Sequence, residues 1–370
     1  MTVRVALDVS AIPSRLTGAG TYVSMLATAL GHRDDIDLQL VARRGDGSRW
    51  RHAGSVHEAA PGPRPARLAW EQVGAPALAR RIGAGVWHGP HYTMPLRIGV
   101  PAVVTIHDLT FFDHPEHHER AKVPVFRTMI RVAARRADAL VCVSDRTAAR
   151  LAELLNVRVP VVVAPHGVDH ERFRPSDDAA GDLVRLADHG IRPPYIAFLG
   201  TIEPRKNVPG LVRAFARARV AHPELRLVLA GLAGWGNAEV DRVIDEQGVD
   251  AAVDRVGYLD AALLPAFLRQ AALVAYPAFD EGFGLPVLEA LACGALVVTS
   301  AGTVMDDVAA GAALLAPPGD DGALADLLLQ ALAGGDEVER MRATGPAVAA
   351  PYTWEATAGR HAALYRDLAR

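Results

Sequence analysis

Lysine is nearly missing from this chain of 370 residues. Of its 39 Lys and Arg residues only Lys122 and Lys206 are lysines, leaving 37 arginines. Cysteine is as scarce: Cys142 and Cys293 lie far apart, each in an apolar run (LVCVS and ALACGALVV). That excludes a disulfide framework and a cysteine zinc site, and it fits a reducing cytoplasm. Excess positive charge is also missing. The chain carries 39 basic and 42 acidic residues, net charge -3, unlike a dedicated nucleic-acid binder. No stretch of about 18 apolar residues escapes a charge or a Pro/Gly break, so no transmembrane helix is expected. The opening MTVRVALDVSAIP lacks the long apolar run of a signal peptide and reads as a first strand. G-x-x-x-x-G-K-[ST], H-E-x-x-H and G-x-S-x-G are all absent, which removes P-loop, zincin and serine-hydrolase readings. The well-formed D-x-D, Asp35-Ile36-Asp37, precedes a strand instead of following one and reads as a solvated turn.

What is present suits a large globular protein. Hydrophobic residues make up 50% and charged residues 22%, so intrinsic disorder is excluded. Single cores stop growing at about 250–300 residues, which predicts two domains. Short apolar runs alternate with helical patterns. In the first half the predicted strands are Val3–Val9, Ile36–Val41, Val86–His88, Ala102–Ile106, Ala139–Val143 and Val159–Ala164. Predicted helices are Thr21–Gly31, Arg67–Arg81, Val123–Arg136 and Asp145–Leu155. Fully apolar strands between helices indicate parallel sheets covered on both faces. Residues 173–194, polar, acidic and rich in proline, read as a domain connection. A second series follows. Its strands are Tyr195–Leu199, Leu225–Ala230, Val253–Val256, Leu273–Tyr276 and Ala295–Thr299. Its helices are Val208–Ala221, Ala238–Gln247, Pro286–Cys293, Ala323–Ala333 and Trp354–Leu368. The expected class is α/β: two Rossmann-like, doubly wound domains facing a central cleft. The boundaries are 1–172, 173–194 (connection), 195–352 and a closing helix, 353–370.

In open α/β sheets ligands bind beyond the carboxyl ends of the strands. Four segments follow strands directly. GTIEPRKN (200–207) sets Arg205 and Lys206 beside the start of a helix that Asn207 can cap. Adjacent cations at a helix N-terminus form an anion site, because free N–H groups and the helix dipole both favour negative charge. An exposed basic turn is the plainer alternative; the rarity of lysine weighs against it. DEGFGLPVLEALACG (280–294) leaves the amides of Gly282, Phe283 and Gly284 in a loop before a helix opened by Pro286. Glu281 precedes that helix and Glu289 lies about one turn inside it, leaning back toward the same ligand. Carboxylates accept from hydroxyl donors, but spacing alone does not separate that role from a partner of the helix dipole. VTIHDLT (104–110) puts His107 and Asp108 at a strand end, as an active-site pair or as a buried tautomer-fixing pair. TGAGTY (17–22) offers Gly18 and Gly20 for close backbone approach. It is not a dinucleotide fingerprint, since Val23 stands where its third glycine would be.

GTIEPRKN, EGFGLPVLEALACG, VTIHDL and the closing YTWEATAGRHAALYRDL together resemble the retaining glycosyltransferases of family 4. So do VCVSDRTAARLAELLNV and VVVAPHGVDHERF. Glu281-x7-Glu289 looks like that family's E-x7-E signature. The resemblance spans nearly the whole chain and implies the GT-B architecture. In it an N-terminal domain binds acceptor, a C-terminal domain binds donor, and the last helix crosses back to the first domain. By the same resemblance Arg205 and Lys206 hold the donor diphosphate, Glu281 contacts the transferred sugar, and Gly282, Phe283, Gly284 and Leu285 lie nearby. Glu289 takes the ribose hydroxyls, and Tyr258 and Gly20 join the donor residues. His107 lies beside the reacting sugar, and Gly18, Tyr22 and Asp108 join it on the acceptor side. His166, in PHGVD, departs from the Asn common in the family.

The implied reaction is metal-independent hexosyl transfer with retention, needing no cofactor beyond the nucleotide sugar. GDP-mannose is the preferred donor and UDP- or dTDP-sugars the alternative. The acceptor is a hydroxyl of a glycan, a lipid-linked sugar or a small molecule. A sugar-nucleotide epimerase and a non-enzymatic sugar-binding protein are the other readings. Arg120, Lys122, Arg127, Arg131 and Arg135 give one helix a basic face that could meet anionic lipid at the inner face of the cytoplasmic membrane. A solvated face is the blander alternative.

Overall fold

The computed structural model describes residues 2–370. The chain divides into two compact units, Met1–Gly167 with Tyr352–Arg370, and Val168–Pro351.

The first unit holds strands β1 (Val3–Asp8), β2 (Ile36–Arg43), β3 (Ser55–Ala60), β4 (Val86–Gly89), β5 (Ala102–Ile106), β6 (Ala139–Cys142) and β7 (Val161–Val163). They pair in the order β3-β2-β1-β4-β5-β6-β7, all parallel. The central strands β4, β5 and β6 are buried at every residue, as a sheet covered on both faces requires. β3 was not expected from sequence. It is an edge strand whose SVHEAA leaves most positions part-exposed, so it lacks an apolar run. Helices α1 (Gly18–Gly31), α2 (Arg64–Ile82), α3 (Thr110–Asp113), α4 (Lys122–Arg136) and α5 (Asp145–Leu154) connect the strands. Strand order reverses between β1 and β4. α1 begins at Gly18, three residues earlier than its sequence pattern suggested, because extended Thr17 stands at its N-cap. On α4, Arg127 donates to the Phe111 carbonyl (2.7 Å) and, with Arg131, lies over the Phe112 ring. Two of the five basic residues on that face therefore hold the helix to α3.

The second unit holds β8 (Tyr195–Leu199), β9 (Arg226–Ala230), β10 (Val253–Gly257), β11 (Leu273–Tyr276), β12 (Val297–Ser300) and β13 (Ala313–Ala316). Their order is β10-β9-β8-β11-β12-β13, again all parallel, with the reversal between β8 and β11. Its helices are α6 (Ala179–Ala187), α7 (Val208–Ala221), α8 (Asn237–Gln247), α9 (Leu264–Arg269), α10 (Leu285–Ala292), α11 (Val304–Ala309), α12 (Asp321–Ala333) and α13 (Asp336–Ala349). Residues 173–194 belong to this unit. α6 buries Asp182 completely, and Arg269 (2.7 and 2.8 Å) and Arg185 (2.5 Å) bind its carboxylate. Burial would raise the Asp182 pKa, but the arginines together hold it below the usual carboxylate range. One acidic residue of this segment is thus an internal anchor.

The last helix, α14 (Trp354–Leu368), packs on α1 within the first unit. Gly167 lets the chain pass beneath its start: a Cβ there would lie 2.3 Å from the Trp354 nitrogen. α14 is also held by a chain of buried polar groups whose directions can be deduced. His361 Nδ1 faces the Thr357 carbonyl (2.8 Å), which only accepts, so Nδ1 carries the proton and Nε2 is an acceptor. Tyr22 therefore donates to His361 Nε2 (3.0 Å) and accepts from Thr105 (3.0 Å). Thr105 accepts from His88 Nε2 (2.8 Å), which leaves His88 Nδ1 to accept from Tyr365 (2.7 Å). All five side chains are fully buried. Every group is satisfied with both histidines neutral. Burial agrees: it pushes the His88 pKa well down, His361 to about 4, and both tyrosine hydroxyls up.

A stability consequence follows from the sign of these shifts. A histidine whose folded pKa is depressed takes up its proton more readily in the unfolded chain. The stability it confers is complete above about pH 6.5 and is lost as pH falls toward about 4. His361 alone should remove about 2 kcal/mol between pH 7 and pH 5. Denaturant midpoints of the first unit's unfolding, followed at those two pH values, should fall accordingly; coincident midpoints would contradict neutral histidines at positions 88 and 361.

Candidate active site

In the second unit the loops after β8 and β11 flank the point where strand order reverses. Such a crevice is where open α/β sheets bind ligands. The chain leaves β8 at Gly200 and makes a 3-10 turn, Pro204–Lys206. Asn207 follows at φ 50°, and its side chain accepts from the Gly210 amide (3.2 Å), capping α7. Lys206 folds back over Gly200, where a Cβ would stand 2.6 Å from Nζ. After β11, the Phe279 amide donates to the Arg205 carbonyl (2.7 Å), tying the two loops together. Gly284 then starts α10 at φ 89°, and a side chain there would meet Met305 Cγ at 2.7 Å.

These loops bring Arg205, Lys206 and Glu281 together. Glu281 Oε2 lies 2.5 Å from Arg205 Nη1, and Oε1 lies 4.0 Å from Lys206 Nζ. Tyr276, the last residue of β11, donates to Glu281 Oε1 (2.7 Å). Glu203 pairs with Arg205 Nε (2.9 Å), and Lys206 Nζ sits over the Tyr276 ring. Burial pulls the Glu281 pKa up, but Arg205 first and Lys206 second hold it below the ordinary value. Burial lowers the Lys206 pKa, with Glu281 opposing. Two cations and two carboxylates thus balance one another. Sequence reasoning missed Glu203 and Tyr276. The signals were Glu203 two positions before Arg205 in the same turn, and a tyrosine at the carboxyl end of a strand.

The other candidates are distributed more widely. Gly282, Phe283 and Leu285 run from the β11 loop into α10 and are buried. Glu289 lies on α10, half-buried; desolvation pushes its carboxyl up to about 8, with Arg172 pulling the other way. At neutral pH it is mostly a neutral acid, able to donate as well as accept. The sequence reading had it as a carboxylate. Tyr258 follows the edge strand β10, two strands away from β8, and is exposed.

In the first unit His107 directly follows β5. Its Nε2 faces the Pro90 carbonyl (2.8 Å), so Nε2 bears the proton and Nδ1 is the basic atom. Burial depresses its pKa against the opposing pull of Pro90 and Asp108. Asp108 uses Oδ1 to cap its own turn, accepting from the Thr110 hydroxyl (2.8 Å) and amide (3.2 Å). That oxygen therefore fixes the local turn. Tyr22 stands edge-on to His107, 5.0 Å between ring centroids. It is fully buried and its hydroxyl serves Thr105 and His361, so it supports His107 from behind; the sequence reading had it touching acceptor. Gly18 and Gly20 lie in the first turn of α1. His166 stacks on Tyr22 (4.9 Å) and Trp354 (5.9 Å) inside this unit.

Two family models match the chain: "Glycosyltransferase Family 4" over residues 16–172 and "Glycosyl transferases group 1" over 187–348. The O-antigen chain mannosyltransferase B of Escherichia coli is 31% identical over 73% of this chain and 71% of its own length. A D-inositol 3-phosphate glycosyltransferase of Corynebacterium jeikeium is 32% identical over 63% of this chain and 58% of its own. Among solved structures, sucrose-phosphate synthase from Thermosynechococcus elongatus superposes with a TM-score of 0.83 at 22% identity, covering 99% of both chains. Anabaena HepE, solved with UDP and glucose, does so with a TM-score of 0.79 at 18% identity, over 99% of this chain and 100% of its own. The class of protein is a GT-B glycosyltransferase with two parallel-sheet, Rossmann-like domains. The chain belongs to the family 4 glycosyltransferases.

The geometry at Gly284 can be checked directly. Gly284→Ala should destabilise the second unit by about 1–3 kcal/mol through its left-handed backbone, with further cost from the overlap on Met305. Unchanged denaturation midpoints for Gly284→Ala would refute the left-handed conformation.

Proposed function

We propose that the chain is a retaining glycosyltransferase that carries a sugar from a nucleoside-diphosphate donor to an acceptor hydroxyl, with GDP-mannose as donor and without a metal ion. The Arg205–Lys206–Glu281 cluster at the strand-order reversal of the second unit carries this reading. Breaking the bond between sugar and diphosphate places negative charge on the leaving phosphate. Arg205, Lys206 and the first-turn amides of α10 would stabilise that charge. At rest the two cations are balanced by Glu203 and Glu281. An arriving diphosphate would compete for them, freeing Glu281 to accept from hydroxyls of the transferred sugar. Glu289, protonated at rest, would exchange hydrogen bonds with the ribose. Retention would follow from front-side attack, the leaving phosphate taking the acceptor proton. His107, with Gly18, supplies the acceptor side.

The mannosyltransferase relative favours mannose. A UDP-sugar donor is the second reading, favoured by the UDP and glucose of HepE. A thermal-shift panel of GDP-mannose, UDP-glucose and dTDP-glucose should show one strong response in wild type. Lys206→Ala should weaken binding of that donor about tenfold to a hundredfold, the worth of a hydrogen bond to a charged group. Transfer should survive EDTA. Equal donor response in wild type and Lys206→Ala would sink the phosphate role; activity abolished by EDTA and restored by a divalent ion would sink metal independence.

A further inference from the structure

The segment between α3 and α4, DHPEHHER (113–120), gathers groups that the transfer chemistry does not use. Residues Pro115–His117 form a single 3-10 turn with His114 at its N-cap. Three residues per turn bring positions i and i+3 onto the same side, so the rings of His114 and His117 stack, 5.2 Å between centroids and 16° between planes. Glu116 reaches to both. Its Oε1 lies 3.3 Å from His114 Nδ1 and 3.9 Å from His117 Nε2. The three ligand atoms all fall within 4.8 Å of one another.

We infer that His114, Glu116 and His117 form a binding site for a divalent transition-metal ion of the Zn2+ type. A tetrahedral ion with bonds of about 2.0–2.2 Å separates its ligands by about 3.3–3.6 Å. The His114–Glu116 spacing already meets that, the His117–Glu116 spacing needs a few tenths of an ångström, and the two histidine ligand atoms, within 4.8 Å of each other, close by up to about 1.2 Å on binding. Two imidazoles and one carboxylate suit Zn2+, Ni2+ or Co2+, not the all-oxygen shells of Mg2+ and Ca2+. The neighbouring groups are engaged elsewhere, which limits the protein ligands to three. Asp113 binds Arg150 (2.5 Å), Glu119 binds Lys122 (2.5 Å), and His118 pairs with Thr110 (2.8 Å). The fourth position is left to water or an exogenous ligand. Binding would fix a turn that leads through His118 and Thr110 to Asp108. This inference does not depend on the donor reading.

The test uses full-length, untagged protein stripped with EDTA. Zn2+ is titrated in competition with a chromophoric chelator, and Co2+ is added separately to read its visible absorption. Wild type should bind one equivalent and give the intense bands of a tetrahedral Co2+ site. His114→Ala/His117→Ala should lose both signals. The ligands are at least partly exposed, so the double variant should match wild type in circular dichroism and in melting with EDTA present. Should it fail to fold, Glu116→Gln decides, with an expected weakening of at least tenfold. Absence of Zn2+ binding in wild type, or full binding by whichever folded variant is used, would overturn the site.

Discussion

The ion pair between Arg205 and Glu281 is the contact on which the second unit's functional edge depends. It joins a residue beyond β8 to a residue beyond β11, the two strands that flank the reversal of strand order. Both groups are largely withdrawn from water, and charges so placed persist only when paired and hydrogen-bonded. Tyr276 and Glu203 complete that pairing. Around it the backbone has almost no slack. Gly200 yields to Lys206, and Gly231 passes so close to Gly200 that a Cβ would lie 2.1 Å from its carbonyl oxygen. A site built this way is pre-organised, with its charges positioned before any ligand arrives.

Much of this was legible in the sequence, and the reasons are specific. The central strands of both sheets are buried on both faces, so runs such as YIAFL and LVAY announce them. Arg205 and Lys206 could be placed because a strand, a cation pair and a capping asparagine stand in immediate succession. What escaped was structure whose signal is tertiary. β3 is a polar edge strand whose positions are mostly part-exposed. Residues 173–194 read as a connection, and what the sequence does not show is that Asp182 finds its arginine partner 87 positions away. Tyr22 was placed on the acceptor side by resemblance; the partner that keeps it inside, His361, lies 339 residues further along. The neutral state of Glu289 arises from desolvation, which no spacing rule reports.

The first unit solves a different problem. It must hold a helix that returns from the far end of the chain, and it does so with directional polar contacts in a dry interior. The neutral histidines there are structural. His107, neutral as well, keeps Nδ1 as its basic atom and stands just beyond the carboxyl end of β5.

The chain of hydrogen bonds through Tyr22, Thr105 and His88 leaves α14 at Tyr365 and returns to it at His361, one turn earlier. It is a circuit closed on a single helix, with a donor at one end and an acceptor at the other. A slide of α14 by one turn that carried His361 into the place of Tyr365 would turn its accepting Nε2 toward the accepting Nδ1 of His88. The closing helix is therefore keyed: shape permits many registers of an alanine-rich helix on α1, and the order of donors and acceptors permits one.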